Sequence, residues 1–148
     1  MLVASALVLV MLPGLALFYG GMVRSKNVLS TFMHSFVAMG IVGVQWAVIG
    51  YSLAFGPDAG GGLVGDFSKA MLSGLISFAD GAPVYALFQN VATETGSIPE
   101  YVFAMFQCMF AMITVALISG AVAERIKFSA WCLFVLAWTT LVYDPLAH

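Results

Sequence analysis

The sequence predicts an all-α membrane protein, a bundle of transmembrane helices, and three observations carry that prediction. Four of the five cationic residues, Arg24, Lys26, Arg125 and Lys127, sit in two very short breaks between long uncharged stretches. Residues 1–23 and 101–123 carry no charged side chain. The 148 residues are 62% hydrophobic and only 8% charged, with a mean hydropathy of +1.04. An ordinary soluble domain is about 25% charged and needs a polar exterior that this composition cannot supply. A charge at a bilayer centre costs about 2.5–3.5 kcal/mol on insertion scales, so charge is tolerated only in the connections.

Each element follows from that frame. A helix rises about 1.5 Å per residue and the hydrocarbon layer is about 30 Å thick, so roughly 20 apolar residues cross it. Span 1 covers about residues 1–23, too long for a signal-peptide core and without a basic leading segment. Pro13-Gly14 loosens its backbone midway, which neighbouring helices can compensate. Span 2 covers about residues 28–55, with Asn27 placed to cap its start. Gly56-Pro57-Asp58 stops it, and Gly60-Gly61-Gly62 extends the break.

In the outer connection, residues 56–97, Asp66 is expected to cap a short helix running to about Phe78. Phe67, Met71, Leu75 and Phe78 would share one face of it, opposite Lys69, Ser73 and Ser77. A fifth crossing over 63–79 is excluded by Asp66 and Lys69, and because it would part Arg24 and Lys26 from Arg125 and Lys127. Ser97-Ile98-Pro99-Glu100 reads as a capping box that opens span 3, residues 98–123. Span 4 covers about 128–147, with Asp144 and Pro145 near its end. Cationic residues in short connections mark the cytoplasmic side, so loops 24–27 and 124–127 face inward.

Composition and motifs exclude several functions. No basic face exists to neutralise phosphates, so nucleic acid is not a partner. There is no paired carboxylate in a span, no nucleophile elbow, no phosphate-cradling loop and no metal motif, so neither an enzyme nor a cofactor is expected. Cys108 and Cys132 lie in spans and read as small hydrophobes rather than a disulfide. His34, the one residue inside a span that would titrate near neutral pH, is expected to hydrogen-bond a neighbouring helix, and so is Gln45. Small residues four apart, such as Gly43 and Ala47, Gly50 and Ala54, or Ala116 and Gly120, allow close helix packing.

Span 3 holds the candidate site. Phe103, Phe106 and Phe110 recur at spacings of three and four, which puts Phe106 and Phe110 on one face. Phe110 lies about 14 Å below Tyr101, close to the bilayer midplane. Such a stripe is either core packing or an aromatic constriction whose ring faces attract a small cation and exclude water. Periodicity does not choose between the two.

Four ordered motifs add a resemblance over essentially the whole chain. PGLALFYGGMVRSKNVL at 13–29, GYSLAFG at 50–56, FQCMFAMIT at 106–114 and GAVAERIKFSA at 120–130 are similar to ammonium transporters of the Amt/Mep/Rh family. YDPLAH at 143–148 resembles the run before that family's vestibule tryptophan. The resemblance implies the first four helices of an eleven-helix fold, in a homotrimer in the cell membrane whose subunits each hold a pore between inverted repeats. It implies transport of ammonium or ammonia, with cation recruitment at an outer aromatic vestibule and passage through a phenylalanine gate. It also implies a small nitrogen-signalling regulator at the cytoplasmic face. Phe110 matches the first gate phenylalanine, Phe106 the aromatic one turn above it, and Gln107 lies between them. The pore histidines, the vestibule tryptophan and the second gate phenylalanine would follow His148, and His34 and His148 match neither pore histidine. The chain is therefore expected to be an N-terminal fragment, inactive alone. Open alternatives are an ammonium sensor or receptor on the same scaffold, a Rhesus-type gas channel, and a structural subunit without transport.

Overall fold

The computed structural model describes residues 1–59, 61–79, 82–88 and 98–148. Four long apolar helices dominate it: span 1 is Leu2–Met22, span 2 Ser25–Phe55, span 3 Glu100–Val122 and span 4 Phe128–Ala147. At 20 to 31 residues each is long enough to cross a bilayer, since about 20 helical residues reach 30 Å. Span 2 is central, packing against spans 1, 3 and 4, while span 1 also packs on span 3.

In lipid, helices gain little from the hydrophobic effect, so close packing and interhelical hydrogen bonds must hold them. Both devices are present. A Cβ on Gly43 would stand 2.8 Å from Met112 Cε, and one on Gly120 would stand 2.5 Å from the Tyr19 ring. Glycine at those two positions lets spans 2 and 3, and spans 1 and 3, approach. Trp46 Nε1 donates to the Ala104 carbonyl at 3.1 Å and Trp131 Nε1 to the His34 carbonyl at 2.9 Å. Tyr19 donates its hydroxyl hydrogen to the Leu117 carbonyl at 2.9 Å. Trp46 and Trp131 are thus buried, and half-buried Tyr19 held, with the polar atom of each ring satisfied.

His34 departs from expectation. It is linked to span 4 through its backbone carbonyl, while its ring packs edge-on against Trp131 and tilted against Phe128, both at 5.8 Å between centroids. Its buried Nε2 meets no hydrogen-bond partner among the described residues. Gln45 does bond across, to Thr140 and Asp144 of span 4. Cys108 and Cys132 are both free thiols.

Two spans widen locally. Span 2 makes a π turn over Trp46–Gly50 and span 4 over Thr139–Tyr143. In span 4 the cause is Pro145, which has no N–H to give and whose ring crowds the preceding turn. Span 1, by contrast, runs unbroken through Pro13.

The expected helix from Asp66 to Phe78 does not form. Only a 3-10 turn, Ala70–Leu72, lies there, and Met71 and Leu72 have φ of +57° and +56°. That left-handed backbone ends helical rotation at once. Phe67, Met71 and Phe78 are exposed and Leu75 alone is buried, so the supposed apolar face is not a face. Asp66 turns its carboxylate onto the Ser68 backbone and hydroxyl, a local turn rather than a helix cap. The chain then forms β1 (Ile76–Ala79) antiparallel to β2 (Ala82–Tyr85), Ile76 opposite Tyr85. A second pair joins β3 (Leu87–Phe88) to β4 (Ile98–Pro99).

Two caps also differ. Ser97 lies outside the described residues, and Glu100 sends its carboxylate to Tyr51 and Lys69 instead of back along the helix. Asn27 makes no side-chain cap; its Nδ2 donates to Glu124 Oε1 at 2.8 Å.

Candidate functional site

The aromatic stripe of span 3 divides in two. Phe103 belongs to the N-terminal end of span 3, stacked on Phe88 of β3 at 3.8 Å between centroids and edge-on to Phe55 at 5.1 Å. Phe106 and Phe110, one helical turn apart, meet each other at 4.9 Å with planes 66° apart. Edge-to-face contact suits their quadrupoles and leaves ring faces free for another partner. Phe110 is 39% exposed, and Phe106 and Gln107 are half-buried.

A groove between spans 1 and 3 runs past Phe110, lined by Leu15 and Phe18 on one side and Ile113, Thr114 and Leu117 on the other. Thr114 is held by donating its hydroxyl hydrogen to the Phe110 carbonyl at 2.7 Å. The surroundings are apolar, with aromatic faces as the available electrostatics. They can attract a small cation and shed its water; they offer no acid or base. Among the described residues no group of three His, Cys, Asp or Glu side chains could hold a metal.

Polar anchors fix the two ends of this helix. At its N-terminal end Tyr51, fully buried, donates to Glu100 Oε1 at 2.8 Å. The Lys69 ammonium pairs with the same carboxylate and lies 5.8 Å from the centre of the Tyr51 ring. Ser52 donates to the Asp66 carbonyl at 2.6 Å and accepts the Lys69 N–H at 3.0 Å, which pins the outer connection to span 2.

Just past its C-terminal end Glu124 has φ +62° and its Oε1 accepts from Asn27 Nδ2 at 2.8 Å and from the Arg24 N–H at 3.0 Å. Those bonds, the Asn27 amide first, hold its carboxyl below the usual carboxylate range. One exposed carboxylate thus ties the two short loops together.

Spacing and motif had singled out Phe106, Gln107 and Phe110 as candidates. They missed the Tyr51–Glu100–Lys69 cluster and the pairing of Gln45 with Asp144. Glu100 and Asp144 were legible as the carboxylates nearest the helix ends, but their partners were not.

Comparison with known proteins agrees with this architecture. The family model described as Ammonium Transporter Family matches residues 1–148. The chain is 54% identical to an ammonium transporter of Mycobacterium tuberculosis (strain H37Rv) over 157 residues, covering all of this chain and 31% of that protein. It is 47% identical over 148 residues to an ammonium transporter of Bacillus subtilis, again covering all of this chain and 33% of that protein. The crystal structure of Saccharomyces cerevisiae Mep2 matches with a TM-score of 0.79 at 34% identity, covering 98% of this chain and 30% of that one. The chain spans about a third of the length of the curated relatives it matches.

Proposed function

The chain belongs to the Ammonium Transporter Family, and on that premise we propose that it is the N-terminal portion of a subunit that carries ammonium or ammonia across the cell membrane. The observation that carries the reading is the Phe106–Phe110 pair on span 3, with Phe106 half-buried and Phe110 39% exposed at a groove. Phe110 acts as the first gate ring and Phe106 as the ring one turn above it. Gln107 sits on the adjoining face between them. A desolvating cation is held by ring faces through attraction to the quadrupole, and the apolar walls keep bulk water from following.

The same reading places loops 24–27 and 124–127 at the cytoplasmic face, where a small nitrogen-signalling regulator could dock, and makes the complete protein a homotrimer. The 148 residues hold neither pore histidine, so they conduct no ammonium alone. Ammonium-dependent current in liposomes that contain only these residues would overturn that statement. In the complete subunit, Phe110→Ala is expected to alter conduction or its ion coupling. An unchanged current–concentration curve would return Phe110 to the role of packing.

A further inference from the structure

Spans 2 and 4 share a buried polar junction that the aromatic pair does not use. Gln45 is 4% exposed and Asp144 0%. Gln45 Nε2 lies 2.5 Å from Asp144 Oδ2 and donates also to Thr140 Oγ1 at 3.3 Å. Asp144 Oδ1 and Gln45 Oε1 are both buried and meet no donor among the described residues. The backbone is shaped around the pair. One π turn begins immediately after Gln45, and the other ends immediately before Asp144. The Gln45 amide folds onto Gly50, where a Cβ would stand 2.8 Å from Oε1.

Charge decides what this junction holds. Arg24, Lys26, Arg125 and Lys127 lie in the inner loops, and Lys69 is paired with Glu100. Among the described residues, the titratable neighbours do not supply a cation. Tyr51 of span 2 donates to Glu100, and Cys108 of span 3 is a half-buried free thiol. The Tyr143 ring of span 4 packs on Trp46 and Trp138. His148 engages the Ala54 carbonyl at 3.3 Å and reaches towards Asp58 at 4.0 Å. An ionised Asp144 would be an unpaired charge inside a span, which is strongly disfavoured.

We propose that Gln45 and Asp144 form a buried proton-binding site, in which Asp144 is held as the neutral acid and its proton joins spans 2 and 4. A neutral carboxyl has one O–H to give, and the Gln45 amide oxygen is the acceptor left unfilled. A half-turn of the amide keeps its shape and sets Oε1 against Asp144. The 2.5 Å separation then falls at the short end of the O–H···O range, whereas it lies below the N–H···O range. The site shares no residue with the groove past Phe110 and does not depend on the transport reading.

Infrared spectroscopy of the complete subunit in lipid bilayers at neutral pH tests it. A protonated-carboxyl C=O stretch is expected that Asp144→Asn abolishes and Gln45→Leu shifts without abolishing. Absence of such a band, or a band that Asp144→Asn leaves untouched, overturns the proposal. Should Asp144→Asn fail to assemble, Gln45→Leu decides: a shifted band supports the site and an unshifted one overturns it.

Discussion

Span 3 has two faces with opposite treatment. One carries Ala104, Ala111, Val115, Ala116 and Ser119, all buried, with Ala111, Val115 and Ala116 at 0% exposure. The other carries Phe106, Phe110 and Leu117, of which Phe110 is 39% and Leu117 51% exposed. In a soluble core the large rings would be sealed and the small residues indifferent. On span 3 small residues are sealed because their value is to let backbones meet, and Phe110 stays open, although the rings of Trp46, Tyr51 and Trp131 on the other spans are buried. The sealed face explains assembly; on the proposed function the open face is reserved for the permeant.

Substitutions can break that contrast. The largest effect is expected from Trp46→Ala, which removes the ring that covers the outer half of the sealed face and its bond to the Ala104 carbonyl. Truncating a buried tryptophan costs about 3–5 kcal/mol. Calorimetry of the complete subunit that shows no lowered Tm would mean the sealed face does not hold span 3.

Gly120→Leu comes next. Its Cβ would fall within 2.5 Å of the Tyr19 ring, and overpacking of this kind costs about 1–3 kcal/mol. A double-mutant cycle with Tyr19→Ala should recover part of that loss; strict additivity would show that the two sites are not in contact.

Phe110→Ala is expected to change stability by no more than about 1 kcal/mol, because its ring is only partly covered, while transport changes. A large stability loss with normal transport would move Phe110 to the sealed side of the comparison. Glu124→Gln should have the smallest effect, and a pH-dependent one. Its folded carboxyl titrates below its ordinary value of 4.5, so its contribution is complete above that value and disappears as pH falls through the folded titration. Acid unfolding of the parent should show this slope and the variant should lack it; superimposed acid limbs would assign the inner-loop tie no energetic role.

The spans were legible because two quantities read along the chain decide them, the cost of charge in lipid and the rise of a helix. The Phe106–Phe110 pair was legible for a similar reason, since a spacing of four on a helix implies adjacency. Phe103 was not. Its spacing matched the stripe, yet Phe55 and Phe88 from other elements draw it to the N-terminal end of span 3. The outer connection failed as a helix even though its apolar residues recur at helical intervals. Ser52 and the close approach of Gly65, where a Cβ would meet the Ser52 carbonyl at 2.4 Å, decide that segment from span 2.

By itself the sequence determined the medium, the number of long helices and the pairing of two aromatic rings, because each follows from local charge, length or periodicity. Only the tertiary structure decided which carboxylate meets which partner: Glu100 with Tyr51 and Lys69, Glu124 with Arg24 and Asn27, Asp144 with Gln45. The last two unite groups about 100 residues apart. Contacts at such separation depend on how helices rotate and cross, and that depends on every small residue between them at once.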